Sequence, residues 1–489
     1  MKRLILATEL KNLWREKLVL TLFLTTSVLA LVAFFNAHYF ANKQRDVVLA
    51  AQQMQQQTIQ NAKAGLPERL ASTENHKWWE DPYDLRGQAF YLMQNYATKT
   101  PLATAPIATG QADVLPYYFK MLIKEKQHIV HQYDYVHPLS LLLGQFDLSF
   151  VVIYLLPLLI ISICFNALAS ERQGGQLRLL MLQGGSATHL LTYQLLLRSA
   201  LIVMPFLLIS SLLLVIIRDQ MGVTELLSYN LIVLCYSGFW IALTAWVNSR
   251  AKSAANNAAT LVTCWLALVI VVPALVNTSI ALLDPTPSRI HYIDSLRAAS
   301  DDAQKASEKT LAQYFQDHPE LAKNGSGASD YATKKIATIN SVEHAMEVQD
   351  ARFLNAQQAQ QQSAQKLQYL SPALIVQTLL VDLAGNGLTR HHAFMSEVEA
   401  HHQALQRFFA NEIAKANQRG DFAPCDGCSA KPTLTNLADI PQFSSEFATP
   451  VYSYTPLIWL LLLAVSLLLI AKRRVNKLDS ANNKEVLVV

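Results

Sequence analysis

Six apolar runs set the class of this chain. They lie at about 18–40, 148–169, 195–217, 227–247, 259–283 and 456–471 of 489 residues. An apolar helix of roughly 18–20 residues crosses a hydrocarbon core of about 30 Å. In lipid every backbone polar group must be paired internally, and an uninterrupted apolar run meets that demand only as a helix. The expected fold is therefore an all-α membrane protein with six transmembrane helices. Composition agrees, because 16% of the residues are charged against about 25% in an ordinary soluble chain. The net charge of +4 leaves no nucleic-acid footprint.

Charge sets the expected sidedness. Basic residues collect in 1–17, at Arg172, Arg178 and Arg198, at Arg250 and Lys252, and at Lys472, Arg473, Arg474 and Lys477. Lys and Arg are retained on the cytoplasmic side. Six spans put all four clusters there only if both termini are cytoplasmic. Residues 41–147 and 284–455 are then two extracytoplasmic domains, 218–226 is a short outer turn, and 472–489 is a basic cytoplasmic tail. Residues 1–17 carry Leu4, Ile5, Leu6, Leu10, Leu13 and Trp14 at helical spacing, the pattern of an amphipathic helix lying in the interface. A cleaved signal peptide is the rival reading, but the apolar run that follows is long for one and no A-x-A site follows it cleanly.

Both outer segments are expected to be mainly helical. The first opens on a polar helical run, Ala50–Gln57, and holds nine aromatics between Trp78 and Phe119. These supply a small core, although Tyr117, Tyr118 and Phe119 fit an interfacial aromatic belt equally well. The second is rich in Ala, Gln, Lys and Asp over 293–370, with Asn324–Gly327 as a loop between long helices. A stronger helix follows over 388–409, with Phe394, Val398, Leu405 and Phe408 on one face.

Catalytic motifs are missing from the sequence. There is no G-x-x-x-x-G-K-[ST], H-E-x-x-H or G-x-S-x-G. A nucleotide motor of the phosphate-loop kind would have to be a separate polypeptide, and the chain reads as non-catalytic. His391-His392 and His401-His402, with Glu397 one turn before His401, fit either a metal site or a solvated polar helix face. No metal is assigned. Cys425 and Cys428 are close enough for a structural disulfide in an oxidising compartment; reduced thiols and a redox pair are the alternatives. Cys164, Cys235 and Cys264 lie in apolar runs as small core residues. Few ionisable groups occur inside the spans, which argues against a proton relay. Asp147, at a span end, is a helix-start carboxylate. Pro157, Pro205 and Pro273 are expected to kink their helices.

The stretch 170–194 joins the second and third spans. It reads Ser170-Glu171-Arg172-Gln173-Gly174-Gly175-Gln176-Leu177-Arg178-Leu179-Leu180, a short amphipathic helix that either docks a soluble partner or is an ordinary loop with snorkelling arginines. With Asp147–Leu159 before it, this stretch resembles the permease subunits of type-2 ABC exporters, in the branch with two large extracytoplasmic domains. Thr109–Lys120 and Leu370–Ala373 through His391-His392-x-Phe394 carry the likeness along most of the chain. The resemblance implies a bacterial inner-membrane protein with an N-terminal elbow helix and a cytoplasmic coupling helix seated in a separate ATPase. That partner would bind ATP and Mg, with no cofactor in this chain. The matching docking residues are Glu171, Arg172, Gly175, Leu177, Arg178 and Leu180. Gln173 stands where the family often has an acid, and Gln176 where Thr is common. Further partners implied are a second permease copy or a similar permease, and a periplasmic protein. An alternative from another class is a mechanical coupler that passes ATPase-driven motion to an envelope partner and moves nothing across the bilayer.

Overall fold

The computed structural model describes residues 9, 11, 18–72, 74, 76–127, 145–183, 185–217, 221–250, 252–318, 331–422, 427–429, 431–444 and 453–486. Most of the amphipathic stretch 1–17, the loop at 324–327 and Cys425 lie outside these residues.

Among the described residues six helices are long and apolar enough to cross a membrane. α1 is Leu18–Ala71, a single helix of 54 residues, about 80 Å long at 1.5 Å per residue. Its first half is apolar; its second half is polar and carries Pro67 in the last turns. The helix thus continues past the apolar run without a break. α2 comprises Leu148–Phe150, a π-helical stretch Val151–Leu155, and Leu156–Cys164. α3 is Ala169–Gln173, α4 Gln176–Leu182, α5 Ala187–Ile217 and α6 Val223–Asn248. α7 is built from Ala254–Trp265, a π-helical stretch Leu266–Val271, and Val272–Leu283. The remaining long helices are α8 Arg289–Lys305, α9 Ser307–Asp317, α10 Tyr331–Leu367, α11 Pro372–Leu383, α12 Leu388–Gln418 and α13 Thr455–Val486.

Two of the three span prolines sit directly after π-helical stretches. Proline removes an N–H and pushes on the preceding turn; one extra residue in that turn relieves the clash. The carbonyls left over find side-chain donors. Tyr236 Oη donates to the Ile153 carbonyl at 3.0 Å, four residues before Pro157. Ser371 Oγ donates to the Leu268 carbonyl, five before Pro273. Pro205 lies inside the continuous helix α5.

The polar parts of the chain form a head at one end of the bundle. The two outer segments interleave there. β1 (His76–Lys77) pairs with β4 (Cys428–Ser429), and β2 (Asn95–Thr98) with β3 (Tyr118–Met121), both antiparallel. One core holds Trp78, Phe90 and Phe119 from the first segment with Phe394, Leu405 and Phe409 from the second. Phe119 is therefore a core residue, stacked on Phe394 at 5.8 Å between ring centroids. On α12 the buried face runs Phe394, Val398, Leu405, Phe409 and Ile413; Phe408 is only partly buried against it. A buried ion pair ties the end of α1 to this core, with Arg69 Nη2 2.9 Å from Asp81 Oδ2. The same guanidinium donates to the Ser429 carbonyl at 2.8 Å.

Head and bundle are joined by α11. Its apolar side chains, among them Ile375, Val376, Leu380 and Leu383, belong to the same core as the spans. Ser371 caps it, accepting from the Ala373 N–H at 3.1 Å, and Pro372 occupies the first helical position, where a missing N–H costs nothing. Gly385 ends it at φ +71°, and a Cβ there would stand 2.3 Å from Leu102. Asp147 completes the joint. It N-caps α2 by accepting from Phe150 N–H at 2.8 Å and accepts from Thr109 N–H of the head at 2.7 Å.

Candidate docking site at the basic end of the bundle

At the end of the bundle away from the head, α2 stops at Cys164, the chain turns through 165–168, and α3 begins at Ala169. A helix that breaks leaves its last carbonyls without partners. Side chains from three other elements fill them. Asn248 Nδ2 donates to the Cys164 carbonyl at 3.1 Å and its Oδ1 accepts from Leu168 N–H at 3.3 Å. Asn257 Nδ2 donates to the Phe165 carbonyl at 3.3 Å. Arg198 Nη1 donates to the Ile163 carbonyl at 3.1 Å and to Asn166 Oδ1 at 3.0 Å. Both asparagines are buried. The break is thus held by amide and guanidinium clamps from α5, α6 and α7.

The same guanidinium carries the network outward. Arg198 Nε donates to Glu9 Oε1 at 2.7 Å, and Gln194 Nε2 donates to Glu171 Oε1 at 3.2 Å. Glu9, from the N-terminal stretch, and Glu171, on α3, are thereby fastened to neighbouring turns of α5. The negative Glu9 compensates the half-buried Arg198, whose partial desolvation would otherwise be costly.

Gly175 separates α3 from α4 at φ +72°, with no atom within 4 Å of a Cβ built there. The demand for glycine is conformational, since the left-handed region costs an L-residue about 1–2 kcal/mol. α4 then presents two faces. Leu177 and Met181, one turn apart, are 7% and 9% exposed and join the bundle core. Leu179 and Leu182 are 60% and 56% exposed. α4 lies against α13, whose exposed Lys472, Arg473 and Arg474 continue past the apolar run. Thr188 Oγ1 donates to Asn476 Oδ1 at 2.8 Å, tying the start of α5 to α13.

The residues singled out from the sequence therefore divide. Arg172 and Gly175 are exposed, Glu171 and Leu180 are half-buried, and Leu177 is buried; the Arg178 side chain lies outside the described set. Leu179 and Leu182, not singled out, form the outward apolar ridge. Asn248 and Asn257 were also missed. Their signal is an uncharged amide at the end of an apolar run, where polar groups are expensive and hence purposeful.

In the head, Cys428 is disulfide-bonded, and its carbonyl accepts from Arg86 Nη2 at 3.2 Å; Cys164, Cys235 and Cys264 are free. On α12 His391, His401 and His402 are buried in the head, and His392 is half-buried. His401 Nε2 lies 3.0 Å from Asn95 Oδ1, and His402 Nδ1 lies 4.0 Å from Glu343. Burial pushes His391 down to about 3, helped by the nearby Lys99, and His401 and His402 down to about 4. Among the described residues no three His, Cys, Asp or Glu side chains are grouped to hold a metal ion.

A family model described as a domain of unknown function (DUF3526) matches residues 289–422, the stretch from α8 through α12. No curated protein and no solved structure matches the chain.

Proposed function

We propose that this chain is the membrane permease subunit of an ATP-driven ABC exporter, docking a separate cytosolic ATPase through α3 and α4. The observation that carries this reading is the break after α2. Helices α3 and α4 hang on the end of the span bundle, anchored by Leu177 and Met181, with Leu179 and Leu182 left outward. An apolar ridge beside exposed Arg172 and a basic α13 suits a groove in a soluble partner. The clamps at Asn248, Asn257 and Arg198 would pass a push on α3 and α4 directly to α5, α6 and α7. In this account the chain is not itself an enzyme. ATP and Mg belong to the partner, a second copy or a similar permease completes the transporter, and the termini face the cytoplasm of a bacterial inner membrane.

Substitution tests the contact. Glu171→Ala or Arg172→Ala, and more strongly Leu179→Asp with Leu182→Asp, should reduce co-purification with the ATPase and coupled ATP hydrolysis. Membrane insertion should be unchanged. Normal recruitment and coupling in all of these variants would exclude the assignment.

A second reading is favoured by α1, which runs without a break from the apolar stretch into the head. Such a rod suits a mechanical coupler that drives an envelope partner and opens no path through the bilayer. Spans that stay sealed in every nucleotide state while the head moves would select it over transport.

A further inference from the structure

The head contains an open cleft of about 940 Å³ between α8, the segment following β3, and the start of α10. Lys120, Lys124, Arg297 and Lys335 line it. Among the described residues none of these four side chains makes an ion pair or a hydrogen bond. Arg289 adds a fifth cation to the wall, against the two carboxylates of Glu125 and Asp301. Lys120, Lys124, Arg297 and Lys335, of one sign in a concave wall, repel each other, and a bound anion relieves that repulsion.

Two further features of the wall define what kind of anion fits. Tyr91 and Tyr331 stand with hydroxyls 3.5 Å apart, each ring also packed on Trp78. Their faces offer an apolar surface that a bare inorganic ion would not use. Gln127 is 2% exposed; its Nε2 donates to Asp350 at 3.0 Å, while its Oε1, buried in the wall, has no partner. A buried acceptor left unsatisfied calls for a donor, and a hydroxyl on the ligand supplies one. Spaced Lys and Arg side chains with a hydroxyl-seeking amide match phosphate on a polyol better than a single carboxylate.

We propose that this cleft binds a phosphate-bearing polyol, the chemistry shared by free glycerol phosphate and the phosphoglycerol headgroup of an anionic lipid. The proposal stands independently of the docking role of α3 and α4.

Two arms distinguish the sources. In the first, purified full-length protein in phosphatidylcholine nanodiscs is titrated calorimetrically with glycerol 3-phosphate. In the second, native mass spectrometry compares retention of phosphatidylglycerol with that of phosphatidylcholine. The variant combines Lys120→Gln, Lys124→Gln, Arg297→Gln and Lys335→Gln, with Lys366→Gln at the far end of α10 as control. Saturable binding is expected in one arm, weakened roughly tenfold or more in the fourfold variant and unchanged in the control. If the fourfold variant fails to fold, the pairs Lys120/Lys124 and Arg297/Lys335 are tested separately for a smaller loss of the same kind. Absence of saturable binding in both arms, sulfate binding as tightly as glycerol phosphate, or equal loss in the control would overturn the proposal.

Discussion

Asp81 is 1% exposed at its side chain and holds Arg69, itself 6% exposed. Removing the carboxylate strands a buried guanidinium, a change that costs about 3–5 kcal/mol. Asp81→Ala should therefore lower the melting temperature of the head sharply, whereas Glu80→Ala, in an exposed pair with Lys77, should leave it nearly unchanged. The histidines of α12 act on the same body through pH. Folded-state values of about 3 for His391 and about 4 for His402 lie below the ordinary 6.5, so on acidification the unfolded chain takes protons first. Stability is full above about pH 6.5 and falls toward about pH 4, by about 1.4 kcal/mol per pH unit for each of the two. Thermal unfolding followed by circular dichroism between about pH 7 and about pH 5 should show this loss, and His402→Gln should flatten it. An unchanged melting temperature across that range would contradict their burial as neutral rings.

The helix break after α2 depends on single amides. Asn248→Leu keeps the volume but leaves the Leu168 N–H without its partner and the Cys164 carbonyl with only the Ala167 N–H, at about 1–3 kcal/mol for a stranded buried group. Coupled ATP hydrolysis should fall in this variant while the ATPase still co-purifies, because the ridge at Leu179 and Leu182 is untouched. Leu177→Ala should behave differently, lowering stability by about 2–5 kcal/mol through the cavity it leaves in the bundle core. At this scale the apolar runs were readable because length and hydropathy alone decide whether a helix can span. The break within the second run was not, because Phe165, Ala167 and Leu168 continue the apolar run around a single Asn166, and only distant amides and Arg198 hold the turn open. The joint made by α11 was also unread. Its Ser371-Pro372 start and its short apolar run were visible, but a run of that length is equally a core helix or an interfacial one, and only its packing among the spans decides.

The whole molecule couples three regions, a basic end, a six-helix bundle and a head. Hydropathy gave the bundle, since every span is nearly self-sufficient in its backbone bonding. The head was harder, because its order is non-local. β1 meets β4 across the whole of both outer segments, and the aromatics of 78–119 are completed by distant helices, Phe119 by Phe394 of α12 and Trp78 and Phe90 by Tyr331 of α10. Periodicity found the core face of α12 at Phe394, Val398 and Leu405 without saying what covers it. The elements α3 and α4 were legible as a short amphipathic stretch but not as faces. Glycine at 175 and charge at 172 mark the turn, while the outward direction of Leu179 and Leu182 follows from which leucines the bundle takes.

A photo-cross-linking residue placed at position 179, in full-length protein in its native membrane, tests the central claim most directly. The account predicts a cross-link to a protein that mass spectrometry identifies as a phosphate-loop ATPase, obtained from 179 and 182 and not from 177. Cross-links to lipid alone, or an ATPase captured equally well from 177, would contradict it.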